Sequence, residues 1–297
     1  MKRRTFGRDA GLSLRMLATS GMLGLVYVGF FLVLLWAFGD TYGLFPMVLV
    51  VLGMAFLQYY TSDKLALKMS GAKVVSPEEA PELHAMVEKL CLQADLPKPK
   101  VAVIPTDMPN AFATGRNPKN SAVAVTNGLW RRLEPREIEG VLAHELAHIA
   151  NRDVLIMTLA SSFAMVAGLV TRYGLLFGGG RDRGGGGGAP VMLIVFLVSI
   201  LTYVLSFILI RTISRYREYA ADRGAALITG APEQLMSALQ KISSGMASIP
   251  QRDLREAEAM NAFFIIPAAK ELFATHPPLE KRLANLANVA REMGRTV

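Results

Sequence analysis

Four long apolar runs divide this chain, and they constrain its fold more than any other feature. Met16 to Phe38 carries no charged residue over 23 positions, and an α-helix needs about 20 to cross a bilayer. The run is too long for the apolar part of a cleaved leader. A second run, Gly43 to Tyr60, follows after only "GDTY", so the two read as a helical hairpin. Val154 to Thr171 is the third run and Pro190 to Ile210 the fourth. Between them lies a Gly-dominated loop, 172–189, with its densest part at 178–188. Composition agrees with membrane, at 52% apolar and 19% charged residues.

The net charge of +8 sits beside these runs. Residues 1–15, 172–183 and 211–217 carry the excess, whereas 61–153 and 218–297 each balance. A nucleic-acid binder would carry it on its polar domain, so the charge reads as orientation in, and contact with, a lipid bilayer. Lys2, Arg3, Arg4, Arg8 and Arg15 favour an N-terminus inside. Arg172, Arg181 and Arg183 would then lie outside in a four-span arrangement, against the same rule, so runs three and four could instead be partly buried in protein. The single cysteine, Cys91, excludes an internal disulfide and any Cys-rich metal module.

The resulting layout is an N-terminal hairpin over 1–60, with helices at 16–38 and 43–60. A polar segment over 61–153 follows, then a second apolar hairpin over 154–210 and a polar segment over 211–297. In the first polar segment, "SPEEAPELHAMVEKLCLQADL" is an amphipathic helix, and "KVAVI" and "SAVAVT" are short strands. In the second, "APEQLMSALQKI" and "PPLEKRLANLANVAREM" are amphipathic helices opened by Pro.

"HELAH" begins at His144. On a helix His144 and His148 share one face, one turn apart, and can point at one ion as in H-E-x-x-H zinc sites. Glu145 can reach a bound water. A catalytic zinc keeps three protein ligands and an open position. Cys91 and His84 sit on the amphipathic helix and read as structural. Glu218 and Asp222, four apart in "SRYREYAADRGA", are the candidates for a third ligand and for a carboxylate that orients a ligand ring. If both flanking helices run unbroken from the membrane edge, His148 stands about 9 Å and Glu218 about 12 Å beyond it, nearly level. The alternative for Glu218 is an exposed partner of Arg215 or Arg217.

"VLAHELAHIANRD", "RTISRYREYAADRGAALITG" and "LFATHPPLEKRLANL" together resemble the HtpX family of membrane-bound zinc metalloproteases, relatives of the CAAX prenyl proteases. The resemblance spans nearly the whole chain. It implies a mainly α integral membrane protein: a helical, gluzincin-like zinc-metalloprotease domain with a small β-sheet and four apolar helices. It implies a multi-pass protein of the cytoplasmic (inner) membrane, active on its cytoplasmic side, that clears damaged or misassembled membrane proteins. It also implies one Zn²⁺ held by His144, His148 and Glu218, with Glu145 as catalytic base.

Two further roles follow as expectations. His276 in "THPPLEKR" is the leading candidate for an oxyanion partner, ahead of Arg282; the alternative is a helix-start residue ahead of Pro277 and Pro278. "NAFATG", from Asn110, resembles the family's substrate-side segment; as an edge strand it would pair with a substrate backbone, with Asn110 and Ala111 facing the cleft, and the alternative is a turn and a core strand. Two other readings compete: a narrow-specificity processing enzyme of the CAAX type, and a non-catalytic scaffold that uses zinc structurally. An intact Glu145 disfavours the second, since a structural site does not need it.

Overall fold

The computed structural model describes residues 9–42, 44–178, 188–247 and 276–295. Most of the Gly-rich loop lies outside the described residues. The elements in chain order are α1 (Ala10–Tyr42), α2 (Leu44–Met69), β1 (Lys73–Val74), α3 (Pro81–Ala94), β2 (Lys100–Ile104), β3 (Ala111–Asn117), β4 (Asn120–Thr126), α4 (Asn127–Arg132), α5 (Pro135–Ala150), α6 (Asp153–Gly178), α7 (Gly188–Thr229), α8 (Pro232–Ala247) and α9 (Leu279–Glu292). They form two compact units: one of Ser13–Tyr60 with Ile156–Ile213, the other of Met1–Leu12, Thr61–Leu155 and Ser214–Val297.

The described residues of the first unit are all helical. Ala10–Phe38 and Pro190–Thr229 are long and apolar enough to cross a membrane. Their outward residues are the apolar ones, among them Leu17, Leu25, Trp36, Leu197 and Leu201. Their buried residues include Thr19, Ser199, Thr202 and Ser206. Large apolar side chains outside and small polar ones inside invert the pattern of a water-soluble bundle and suit lipid. Ser199 donates to the Val195 carbonyl one turn back on its own helix at 2.6 Å, and Tyr27 on α1 donates across to the Ala160 carbonyl on α6 at 2.5 Å.

Helix boundaries differ from the sequence expectation in two informative ways. "GDTY" is helical to Tyr42, so the link between the first two helices is tighter than the four residues suggested. The helix bearing His144 does not continue into the third apolar run. It ends at Ala150, and Arg152 takes a left-handed conformation at φ 56° before α6 starts at Asp153. By contrast, α7 runs unbroken from Gly188 to Thr229, carrying the fourth apolar run and Glu218 on one helix.

The second unit holds a four-stranded mixed sheet in the order β1-β2-β4-β3. β2 and β4 are parallel, and β3 pairs antiparallel with β4 as an edge strand. α3, α5 and the C-terminal part of α7 share one core with the sheet, α8 and α9, through Val87, Val123, Val141, Leu142, Ala225, Leu239 and Leu286. α5 begins with a capping box: the Glu137 side chain accepts from the Glu134 N–H at 2.8 Å, and Pro135 occupies the first turn. Two glycines allow close approach around it. A Cβ on Gly140 would lie 2.9 Å from Leu235 N, and one on Gly224 would lie 2.7 Å from the Ala147 Cβ. α7 therefore crosses α5 at the turn between the two histidines.

Candidate metal centre

The buried face of α5 points His144 and Glu145 inward, with 1% and 5% exposure. α7 meets it with Glu218 and Asp222, one turn apart and equally buried. His148 Nε2 lies 3.1 Å from His144 Nε2 and 3.3 Å from Glu218 Oε1, and His144 Nε2 lies 3.5 Å from Glu218 Oε2. Four ligands at about 2.0–2.1 Å from an ion stand about 3.3 Å apart along each tetrahedral edge. The two rings and the Glu218 carboxylate, each ring nearest a different carboxylate oxygen, thus stand at spacings close to those edges.

The second nitrogen of each ring explains why the first two converge. His148 Nδ1 lies 2.5 Å from Asp153 Oδ2, and His144 Nδ1 lies 3.0 Å from Asp222 Oδ1. With Nδ1–H donating to a carboxylate, each Nε2 presents a lone pair. Two lone pairs and a carboxylate oxygen facing one point repel unless a cation or a proton sits among them. Charge makes the same statement. Four buried carboxylates (Glu145, Asp153, Glu218 and Asp222) face two buried guanidinium groups, Arg217 and Arg282. The imbalance is two negative charges, which one divalent cation cancels. The residues fit a metal ion.

Without a metal, protons take its place. Burial lowers the pKa of the His148 imidazole, but Asp153 and Glu218 outweigh it and push it up to about 10. The raised value stabilises the metal-free fold below the unfolded histidine pKa of about 6.5 and is lost as pH climbs toward the folded value. Metal uptake near neutral pH must therefore displace protons, roughly one or two per ion. Calorimetric titration of the metal-free protein in two buffers of different ionisation enthalpy reads that number. Heats independent of buffer would show that the rings are already deprotonated.

Glu145 accepts a hydrogen bond from the Ala113 N–H at 2.7 Å, which ties α5 to the edge strand β3. Burial raises its carboxyl pKa, opposed by His144 and His148. His276 lies just before α9, with Nδ1 2.9 Å from Glu218 Oε2. Arg282, the weaker oxyanion candidate, is instead bound to both oxygens of Asp222, from Nη2 at 2.5 Å and from Nε at 3.0 Å. Asn110 is buried, its backbone paired with Thr126 at 2.9–3.0 Å. Ala111 is 1% exposed, with its side chain in the core against α5. His84 Nε2 lies 3.1 Å from the Val75 carbonyl, and burial pushes the Cys91 thiol up to about 11; neither approaches the metal cluster. From sequence, Asp153 reads as tying down a helix end or a basic neighbour, and Arg217 as an exposed partner of Glu218; Asp153 does lie 2.8 Å from a base, Arg217 Nε, but it also reaches the His148 ring at 2.5 Å, and Arg217 is buried. Their signal was the acid closely following "HELAH" and the base beside Glu218, visible only once α5 is known to stop.

A model of peptidase family M48 matches residues 77–290. The chain belongs to peptidase family M48. A protease HtpX homologue of Moorella thermoacetica is 55% identical over 98% of this chain and 98% of its own length. One from Pyrococcus furiosus is 42% identical over 93% and 96%. The crystal structure of Ste24p from S. mikatae shares the fold, with a TM-score of 0.55 at 18% identity, covering 94% of this chain and 67% of that one. This M48 member is thus a membrane metalloprotease related to HtpX proteins, acting on polypeptides.

Proposed function

We propose that the chain is a zinc-dependent endopeptidase with a gluzincin-like site, and that it hydrolyses misfolded or damaged membrane proteins on the cytoplasmic side of the inner membrane. The observation that carries it is the convergence of His144 Nε2, His148 Nε2 and a Glu218 oxygen within 4.8 Å of one another, with Glu145 beside them on α5. His144, His148 and Glu218 hold Zn²⁺, and Asp222 orients the His144 ring. When bound, the ion supplies Lewis-acid activation of water and of the scissile carbonyl.

The chain's own residues do the rest. The Glu145 carboxylate, its pKa raised by burial, takes a proton from the attacking water and passes it to the leaving amine. The His276 side chain is 11% exposed and donates to the oxygen on which charge develops. The outer edge of β3 receives an extended substrate, whose backbone pairs alongside the strand from Ala111 onward, with Asn110 holding the strand's start through Thr126. Pairing through backbone accepts many sequences, as a quality-control protease requires. α1, α2, α6 and α7 form four membrane spans.

The test uses purified full-length protein in detergent and an unfolded, unmodified polypeptide. Cleavage should stop on chelation and return with added Zn²⁺. Cleavage confined to lipidated C-termini would favour the CAAX-type enzyme, and cleavage that survives metal removal would sink the metalloprotease reading.

A further inference from the structure

The interruption between α5 and α6 has a function of its own. On an unbroken helix Asp153 would lie about 140° around the axis from His148 and about 7.5 Å further along, out of reach of its ring. The left-handed Arg152, a conformation unfavourable for a non-glycine residue, folds the chain back instead. Asp153 Oδ2 then lies 2.5 Å from His148 Nδ1, and Asp153 is 1% exposed. Its other oxygen, Oδ1, lies 2.8 Å from Arg217 Nε. Arg217 is itself buried and directly precedes Glu218 on α7. A carboxylate that merely favoured the α6 N-terminus would need neither partner and no burial.

We propose that Asp153 and Arg217 are positioning residues for His148, and that the helix break exists to place them. Asp153 holds the ring with Nδ1 protonated, so that Nε2 faces the metal. Arg217 cancels the charge of Asp153, which leaves Glu218 and Glu145 to balance the divalent ion. Because Arg217 and Glu218 are neighbours on α7, one helix supplies both the third ligand and the clamp on the second. The inference rests on the metal-centre reading above.

The experiment measures Co²⁺ affinity of the full-length protein in detergent by competition with a chelator, together with the visible spectrum of the bound Co²⁺. Asp153→Ala should weaken binding about 10- to 100-fold and shift the spectrum, since outer partners of metal-ligating histidines act on that scale. Arg217→Lys, which keeps the charge but not the geometry, should weaken it less. A purely structural role would lower thermal stability and leave the affinity and spectrum of the folded protein unchanged; that result overturns the proposal. If Asp153→Ala does not fold, the double variant Asp153→Leu with Arg217→Met decides: it removes both charges together and leaves His148 Nδ1 without this acceptor, and unchanged Co²⁺ affinity would refute the role. Failure of the wild-type chain to bind Co²⁺ would instead remove the metal centre, and this inference with it.

Discussion

Replacing Glu145 by Gln is expected to leave metal content unchanged and to lower peptide hydrolysis about 10²- to 10⁴-fold, the usual contribution of a general base. The substitution keeps the side chain's size and an oxygen that can still accept from the Ala113 N–H, now at 2.7 Å, so β3 stays tied to α5. The ligands His144, His148 and Glu218 are untouched. The amide cannot take a proton from water. The measurement pairs metal analysis with cleavage of an unfolded substrate. Equal cleavage by the variant and the wild type would remove Glu145 from the chemistry. A variant that loses its metal would instead point to a ligand or support role for Glu145.

Arg282→Met should destabilise the fold by about 3–5 kcal/mol, the range for breaking a buried ion pair by removing one partner. Arg282 is 1% exposed and Asp222 is fully buried, with two contacts between them at 2.5 and 3.0 Å. Removing the guanidinium leaves the Asp222 carboxylate without its cation in a site that already carries Glu145 and Glu218. The cost is the stranded charge more than the lost contact. The double variant Asp222→Leu with Arg282→Met removes both charges and should recover most of the stability. It should not recover metal affinity, because His144 Nδ1 then has no acceptor at 3.0 Å. Chemical denaturation in detergent reads the first quantity and chelator competition the second. A single variant as stable as the wild type would show that the pair is solvated in solution.

The two results separate roles that proximity blurs. Glu145 and Arg282 both approach the same cluster, yet one faces the edge strand where a substrate would lie and the other is enclosed by Asp222. Arg282 bonds Asp222, the carboxylate beside His144 Nδ1, and its Nη1 also lies 3.5 Å from Glu218 Oε2. His276, six residues earlier, has its Nδ1 2.9 Å from Glu218 Oε2.

Much of the site was legible in the sequence because helix geometry is periodic. A spacing of four places His144 and His148 on one face whatever surrounds them, and the same holds for Glu218 and Asp222 on α7. The apolar runs were equally legible, since length and absence of charge suffice to mark a helix that can cross lipid. The support around His148 was not. Asp153 reaches its ring only because the helix stops, and the stop depends on Arg152 taking a backbone conformation that no local pattern announces. Arg217 beside Glu218 looked like a solvent-facing base until packing buried both.

By itself, the sequence determined which residue types could bind an ion, which helices carry them and which segments seek lipid. These properties depend on chemistry and on a fixed rise and twist per residue. Only the tertiary structure decided that α7 brings Glu218 to the histidines, that β3 lies at the edge of the sheet, and that each ring is held by its own carboxylate and arginine. Those pairings join residues 60 to 138 positions apart for Arg282 and its partners Asp222 and His144. Contacts over such separations arise from how whole elements pack, including the bare approach of Gly224 to Ala147.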